Sequence, residues 1–145
     1  GAYQRALLRQ RSGMRVVGRP CPLWVTLAEQ GGSTGELADA ILLDGVRGLV
    51  RSNEAPNASS SLLLGCTHFP VFRSRLQQLL GAQVQVIDSA QTTASAVSKA
   101  LQADGLLFDG GGATQFLATD GVDRFCRVGA TFLGESISSV ELIDL

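Results

Sequence analysis

The sequence predicts an α/β fold built on a mostly parallel sheet with flanking helices. Three observations predict it. Short apolar runs, residues 62–64 and 84–87 among them, have the length and composition of strands buried between layers. Each of these two is followed by a stretch whose apolar residues recur at spacings of three and four, the period of a helix. Clusters of glycine, proline and serine separate the periodic stretches, so strand and helix alternate along the chain.

Each element has its own signal. Residues 3–11 read as a helix ended by Ser12-Gly13. That pattern starts without an initiator methionine or a capping residue, so the chain is expected to continue upstream. Residues 14–18 read as a short strand, and Pro20 and Pro22 rule out a central strand over 21–25. Residues 27–30 lead into the turn Gly31-Gly32-Ser33-Thr34-Gly35. From Glu36 onward, Leu37, Ala40, Ile41, Val46, Leu49 and Val50 make an amphipathic helix, with Thr34 a candidate cap. Residues 52–60 read as a flexible surface loop. After the strand at 62–64, Val71, Phe72, Arg75, Leu76, Leu79 and Leu80 supply a helical stripe. The strand at 84–87 ends in Asp88-Ser89, either of which could cap a helix striped by Ala94, Val97, Ala100 and Leu101. Beyond the break Asp109-Gly110-Gly111-Gly112, residues 115–119 read as a strand and 140–143 as a final one. Between them, residues 120–132 read as a helix with Val122, Phe125, Val128, Gly129 and Phe132 inward.

Composition excludes several function classes. A chain of 145 residues, 45% hydrophobic and 17% charged, has the makings of one globular core. A net charge of -1 and the lack of a basic cluster argue against nucleic acid as a partner. No apolar run approaches the ~20 residues of a membrane span, and the start does not resemble a secretory signal. Cys21, Cys66 and Cys126 are odd in number and far apart, unlike a disulfide framework or a paired metal site, and suit a cytoplasmic setting. A single histidine rules out a metal site of several imidazoles. Gly110-Gly111-Gly112 lacks the lysine and helix of a phosphate loop, and no Gly-x-Ser-x-Gly elbow is present.

What remains is Leu62-Leu63-Leu64-Gly65-Cys66-Thr67-His68-Phe69-Pro70. Gly65 permits a backbone turn, and Pro70 suits the first position of a helix. Cys66 then stands at the C-terminal tip of a strand, where open α/β sheets bind ligands. A helix N-terminus and a nearby imidazole there would favour thiolate over thiol. A cysteine after an apolar strand is more often a small core residue, and a lone histidine more often a surface or capping residue. Glu29 reads as a surface carboxylate, and Cys21 and Cys126 as packing. From the residues alone, Cys66 is a candidate reactive thiol and no more.

The same segment resembles the Gly-Cys-Thr-His-aromatic-Pro segment of glutamate racemases, within the aspartate/glutamate racemase superfamily. Cys21-Pro22-Leu23-Trp24-Val25 with Glu29 is similar to that family's Cys-Pro-aromatic stretch and its glutamate. Val86-Ile87-Asp88-Ser89, the stretches 116–120 and 132–134, and Val140-Glu141 are similar to later family segments, in order, and Gly1-Ala2-Tyr3 to an interior one. The resemblance implies interconversion of L- and D-glutamate without a cofactor, by two cysteines on opposite faces of Cα. Cys66 would be one of them, His68 would assist it, Glu29 would position His68, and Thr67 would help hold the substrate. It also implies a two-domain pseudo-symmetric fold and a homodimer. Residues 1–87 would form most of the second α/β domain, and 88–145 a C-terminal segment returning to the first. The family's first catalytic cysteine, with its Asp-Ser-Gly segment, has no match here, and Cys21 falls on the Cys-Pro segment instead. The expectation is therefore a C-terminal portion, inactive alone, whose partner is the missing N-terminal half. Other superfamily racemases, acting on aspartate or hydantoins, remain open, as does a non-catalytic half that binds a dicarboxylate or a partner.

Overall fold

Two short parallel strands form the centre of the molecule. In the computed structural model, which describes residues 1–49, 60–108 and 110–144, β1 (Ser60–Leu64) pairs with β2 (Val84–Asp88). Ser60 stands opposite Val84, and Leu64 opposite Asp88, so both strands end at the same edge. Parallel pairing needs a crossover, and here it is a 3₁₀ turn over Phe69–Phe72 followed by helix Arg73–Leu80. Counting helices in chain order, Ala2–Gln10 is α1, Pro22–Glu29 is α2, Glu36–Val46 is α3 and Arg73–Leu80 is α4. Gln77 fastens α4 to β2. Its Nε2 donates to the carbonyls of Gly81 and Val84 at 2.8 Å each, and its Oε1 accepts from the Val86 N–H at 3.1 Å.

α2 and α3 pack against this unit and close the core. Trp24, Ala28, Leu42, Val46, Leu64, Phe72, Leu76 and Val86 form one buried cluster. Trp24 is its hinge point. Its ring meets Phe69 and Phe72 edge-on, and its indole N–H donates to the Ile41 carbonyl at 3.1 Å, so that donor is paired inside the core. A Cβ on Gly45 would stand 2.5 Å from the Trp24 Nε1, so only glycine lets α3 come this close to α2. Arg75 on α4 is paired with Asp39 on α3, its Nε donating at 2.6 Å. α1 reaches the tip of β1 through Tyr3, whose ring would lie 3.2 Å from a Cβ on Gly65. Gly65 itself keeps an ordinary φ; the close approach of Tyr3, rather than a special turn, is what a side chain there would disturb.

The remaining chain continues from the end of β2. β2 ends in Asp88, which caps α5 (Ser89–Ala103) by accepting from the Gln91 N–H at 2.8 Å. Asp88 is buried, and its second oxygen is paired with Arg73 Nε at 3.1 Å. β3 (Leu117–Ala118), α6 (Val122–Leu133) and β4 (Glu141–Leu142) follow, with β3 and β4 paired in parallel as a second sheet. The α/β class with parallel strands is as the sequence predicts. No described helix is long and apolar enough to cross a membrane.

Several expectations are corrected. Residues 14–18 are not a strand but carry no regular structure. Arg19 nearby donates to the carbonyls of Asp44 and Arg47, at 3.0 Å each, so this segment serves the end of α3 instead of a sheet. No strand runs over 21–25, as expected, and residues 22–29 form a helix not expected from the sequence, because the proline that forbids a strand also starts a helix: Pro22 takes the first turn of α2. Thr34 does not cap α3; Gly35, at φ 104, occupies that position without a side-chain bond. α3 buries Ala38, Leu42 and Val46, leaving Leu37 and Ala40 outside, so its inward face is rotated from the expected stripe. The stripe of α5 is exposed throughout, and on α6 Phe125 and Phe132 stay exposed while Val128 and Gly129 are half-buried. β3 and β4 are two residues each rather than five and four. Residues 52–59 of the expected loop, Val50 and Asp109 lie outside the described residues.

Candidate active site

Cys66 follows β1 by two residues, at the edge where β2 also ends. The chain turns there because the Phe69 N–H donates to the Cys66 carbonyl at 3.1 Å, and His68 takes the N-cap position of the 3₁₀ turn that contains Pro70. His68 is thereby folded back over the thiol, with Nδ1 3.8 Å from Cys66 Sγ. Its other nitrogen, Nε2, lies 2.6 Å from Glu29 Oε1, brought in from the last residue of α2. A carboxylate can only accept here, so it holds the proton on Nε2 and turns the free Nδ1 lone pair to the thiol. The second Glu29 oxygen is paired with Arg124 on α6. Phe132, from the same helix, stands edge-on to the His68 ring at 6.1 Å.

These contacts set the charges. Partial burial pushes the Cys66 thiol up, but the backbone N–H and imidazole of His68 and the Thr67 N–H outweigh it, and the thiol ends below its ordinary value. His68 is raised, first by the Glu29 carboxylate that accepts its N–H and then by Cys66, against a smaller effect of burial. Glu29 is lowered, chiefly by Arg124 and then by His68. The arrangement is an acid–imidazole–thiol array, able to pass a proton from Sγ to Nδ1 and to leave a thiolate beside an imidazolium.

Sequence reasoning singled out Cys66, Thr67, His68 and Glu29, and the fold brings Cys66, His68 and Glu29 into contact although Glu29 lies 39 residues from His68. Thr67 is exposed, and what it turns to the thiol is its backbone N–H. Arg124 was missed. It stands 95 residues from Glu29 on an exposed helix face, and no motif marks it. An open groove of ≈ 410 Å³ runs beside the array, between Glu29 and Asp120, Arg124, Phe125 and Val128. Cys21 lies apart, half-buried near the Arg19 and Gly45 carbonyls, where burial pushes its thiol up. Cys126 sits on α6, also half-buried. Among the described residues, no cluster of three His, Cys, Asp or Glu side chains could hold a metal ion.

No family model matches the chain. Known proteins do resemble it. The glutamate racemase of Geobacter metallireducens is 33% identical over 146 residues, which are 99% of this chain and 52% of that protein. The glutamate racemase of Lysinibacillus sphaericus is 31% identical over 147 residues, 100% of this chain and 54% of that protein. Among solved structures, a glutamate racemase isoform from Bacillus anthracis superimposes with a TM-score of 0.80 at 29% identity, over 99% of this chain and 52% of that one. The Francisella tularensis glutamate racemase in complex with D-glutamate shares the fold, with a TM-score of 0.77 at 23% identity and 52% of its chain covered. The chain thus spans about half the length of the relatives it matches.

Proposed function

We infer that this chain belongs to the glutamate racemases as the C-terminal half, the one that carries Cys66, and that it supplies one face of a two-thiol site. The observation that carries this reading is the Cys66–His68–Glu29 array at the C-terminal edge of a parallel sheet, in a chain similar to glutamate racemases along its whole length. In the reaction, a thiolate takes the α-proton of glutamate, the bonding pair stays on Cα, and a thiol on the opposite face returns a proton. Cys66 is one of those two groups. Glu29 holds the imidazole, Nδ1 takes and returns the Cys66 proton between half-reactions, and Thr67 helps seat the substrate. A C–H acid this weak needs a thiolate close by in a water-poor site, which the opposing half must complete. The division at residues 87–88 follows the same reading: 1–87 build most of one domain, and 88–145 return to the other. No cofactor is required. The product D-glutamate serves peptidoglycan synthesis in the cytoplasm, and the complete enzyme works as a dimer.

The test is the loss of optical activity of D-glutamate by the chain alone and by the chain joined to its other half. The chain alone should be silent, the complete enzyme active, and the complete enzyme carrying Cys66→Ala silent again. Clear turnover by the chain alone would overturn the assignment of the second thiol to the other half. Faster turnover of D-aspartate than of D-glutamate would overturn the substrate.

A further inference from the structure

We propose that Arg124 is a positioning residue of this site: from α6 it holds one oxygen of Glu29, which aims the other at His68 and keeps the imidazole turned to Cys66. The proposal rests on the reading of Cys66 as the reactive thiol. Its basis is the division of labour on one carboxylate, with Oε1 on His68 and Oε2 on Arg124. α6 touches the array at both ends, Arg124 from its first turn and Phe132 from its last, and Thr131 lies beside Gly31, just past α2. Helix and array therefore meet as one unit, and Glu29 is fixed from two directions. Among the described residues, few charged groups face the array. Arg124 and His68 face Glu29; Glu29 and Cys66 face His68; Asp120 stands at the groove rim with its carboxylate engaged by the Gly121 N–H at 2.6 Å.

Charge alone and positioning make opposite demands. Arg124 offsets the charge of Glu29, so by charge alone its removal would strengthen the pull of Glu29 on His68 and sharpen Cys66. If Arg124 acts by holding Glu29, its removal frees the carboxylate to sample other rotamers, His68 loses its anchor, and Cys66 becomes a weaker nucleophile. A surface ion pair that neither holds Glu29 nor shifts its charge would leave Cys66 unchanged.

Iodoacetamide labelling of the full chain across a pH series, read cysteine by cysteine by mass spectrometry, separates them. With Arg124→Ala, Cys66 labelling at neutral pH should slow roughly three- to ten-fold and its pH profile should move to higher pH, while Cys21 labels as before. Arg124→Lys, which can still reach Glu29, should recover most of the loss. Unchanged or faster Cys66 labelling in Arg124→Ala overturns the proposal, as does failure of Arg124→Lys to recover it. Should Arg124→Ala loosen the fold, seen as faster Cys21 labelling, Arg124→Gln decides: it keeps the length of a helix-favouring side chain, and unchanged Cys66 labelling in it overturns the proposal. Labelling needs no second half and no glutamate. A racemase reading that fails in the turnover assay thus leaves this test standing, and an indifferent Arg124 leaves that reading untouched.

Discussion

At the residue scale the chemistry hangs on one imidazole between two partners. Because the chain has a single histidine, its ring protons titrate without overlap in an NMR spectrum. His68 should titrate above 6.5, its ordinary value, and Glu29→Gln should bring the midpoint back down. The signs follow from the shifts. His68 is raised, so its contribution to stability is whole below the unfolded value and is lost as pH rises through the folded one. Glu29 is lowered, so its contribution is whole above its unfolded value and is lost as pH falls through the folded one. Both are whole between the ordinary values of 4.5 and 6.5, and the stability difference between parent and Glu29→Gln should peak in that window and shrink on either side. A His68 midpoint unmoved by Glu29→Gln would show that the contact does not hold in solution.

At the element scale, the position of Glu29 depends on α2, and the position of α2 depends on how closely α3 approaches Trp24. Gly45→Ala would drive a Cβ to 2.5 Å from the indole, with the neighbouring Phe69 and Phe72 rings leaving Trp24 little room to move. Overpacking of this kind costs about 1–3 kcal/mol. Urea unfolding of Gly45→Ala should show it, together with slower Cys66 labelling, since tilting α2 withdraws Glu29 from His68. A stability within error of the parent would mean that α3 can slide without cost. The β1–α4–β2 unit was legible from its residues: an apolar run, a helical stripe of three and four behind Pro70, and a second run are all local signals, although Pro70 opens the 3₁₀ turn before α4 and not α4 itself. α2 was not legible, because prolines at 20 and 22 exclude a strand without announcing what replaces it. The inward face of α3 was not legible either. Leu37 and Leu42 are equally apolar, and only the position of Trp24 and Leu76 decides that Leu42 goes in.

At the scale of the whole molecule, apolar surface is left uncovered. Phe108 at 80% and Leu37 at 74% exposure are the extremes, and the Val97–Leu101 side of α5 is open as well. Apolar side chains this exposed, several of them along one helix, suit a surface that another body covers. The complementary half of a racemase is the occupant that the proposed function supplies. The isolated chain should therefore bind a hydrophobic dye strongly and self-associate, and joining it to the other half should suppress both. Dye binding as weak as that of an ordinary monomer would argue that the apolar faces pack on one another in solution.

The sequence by itself determined the strand–turn–helix that presents Cys66, because hydrophobic period, glycine and proline act within a few residues of one another. Through its ordered segments it also carried the likeness to glutamate racemases, and it named Glu29 and His68. Only the tertiary structure decided that Glu29 Oε1 meets His68 Nε2, that Arg124 holds the other oxygen, and which side of each helix faces in. Those are contacts between residues 39 and 95 positions apart, set by how helices pack around Trp24, and no local pattern encodes a packing angle.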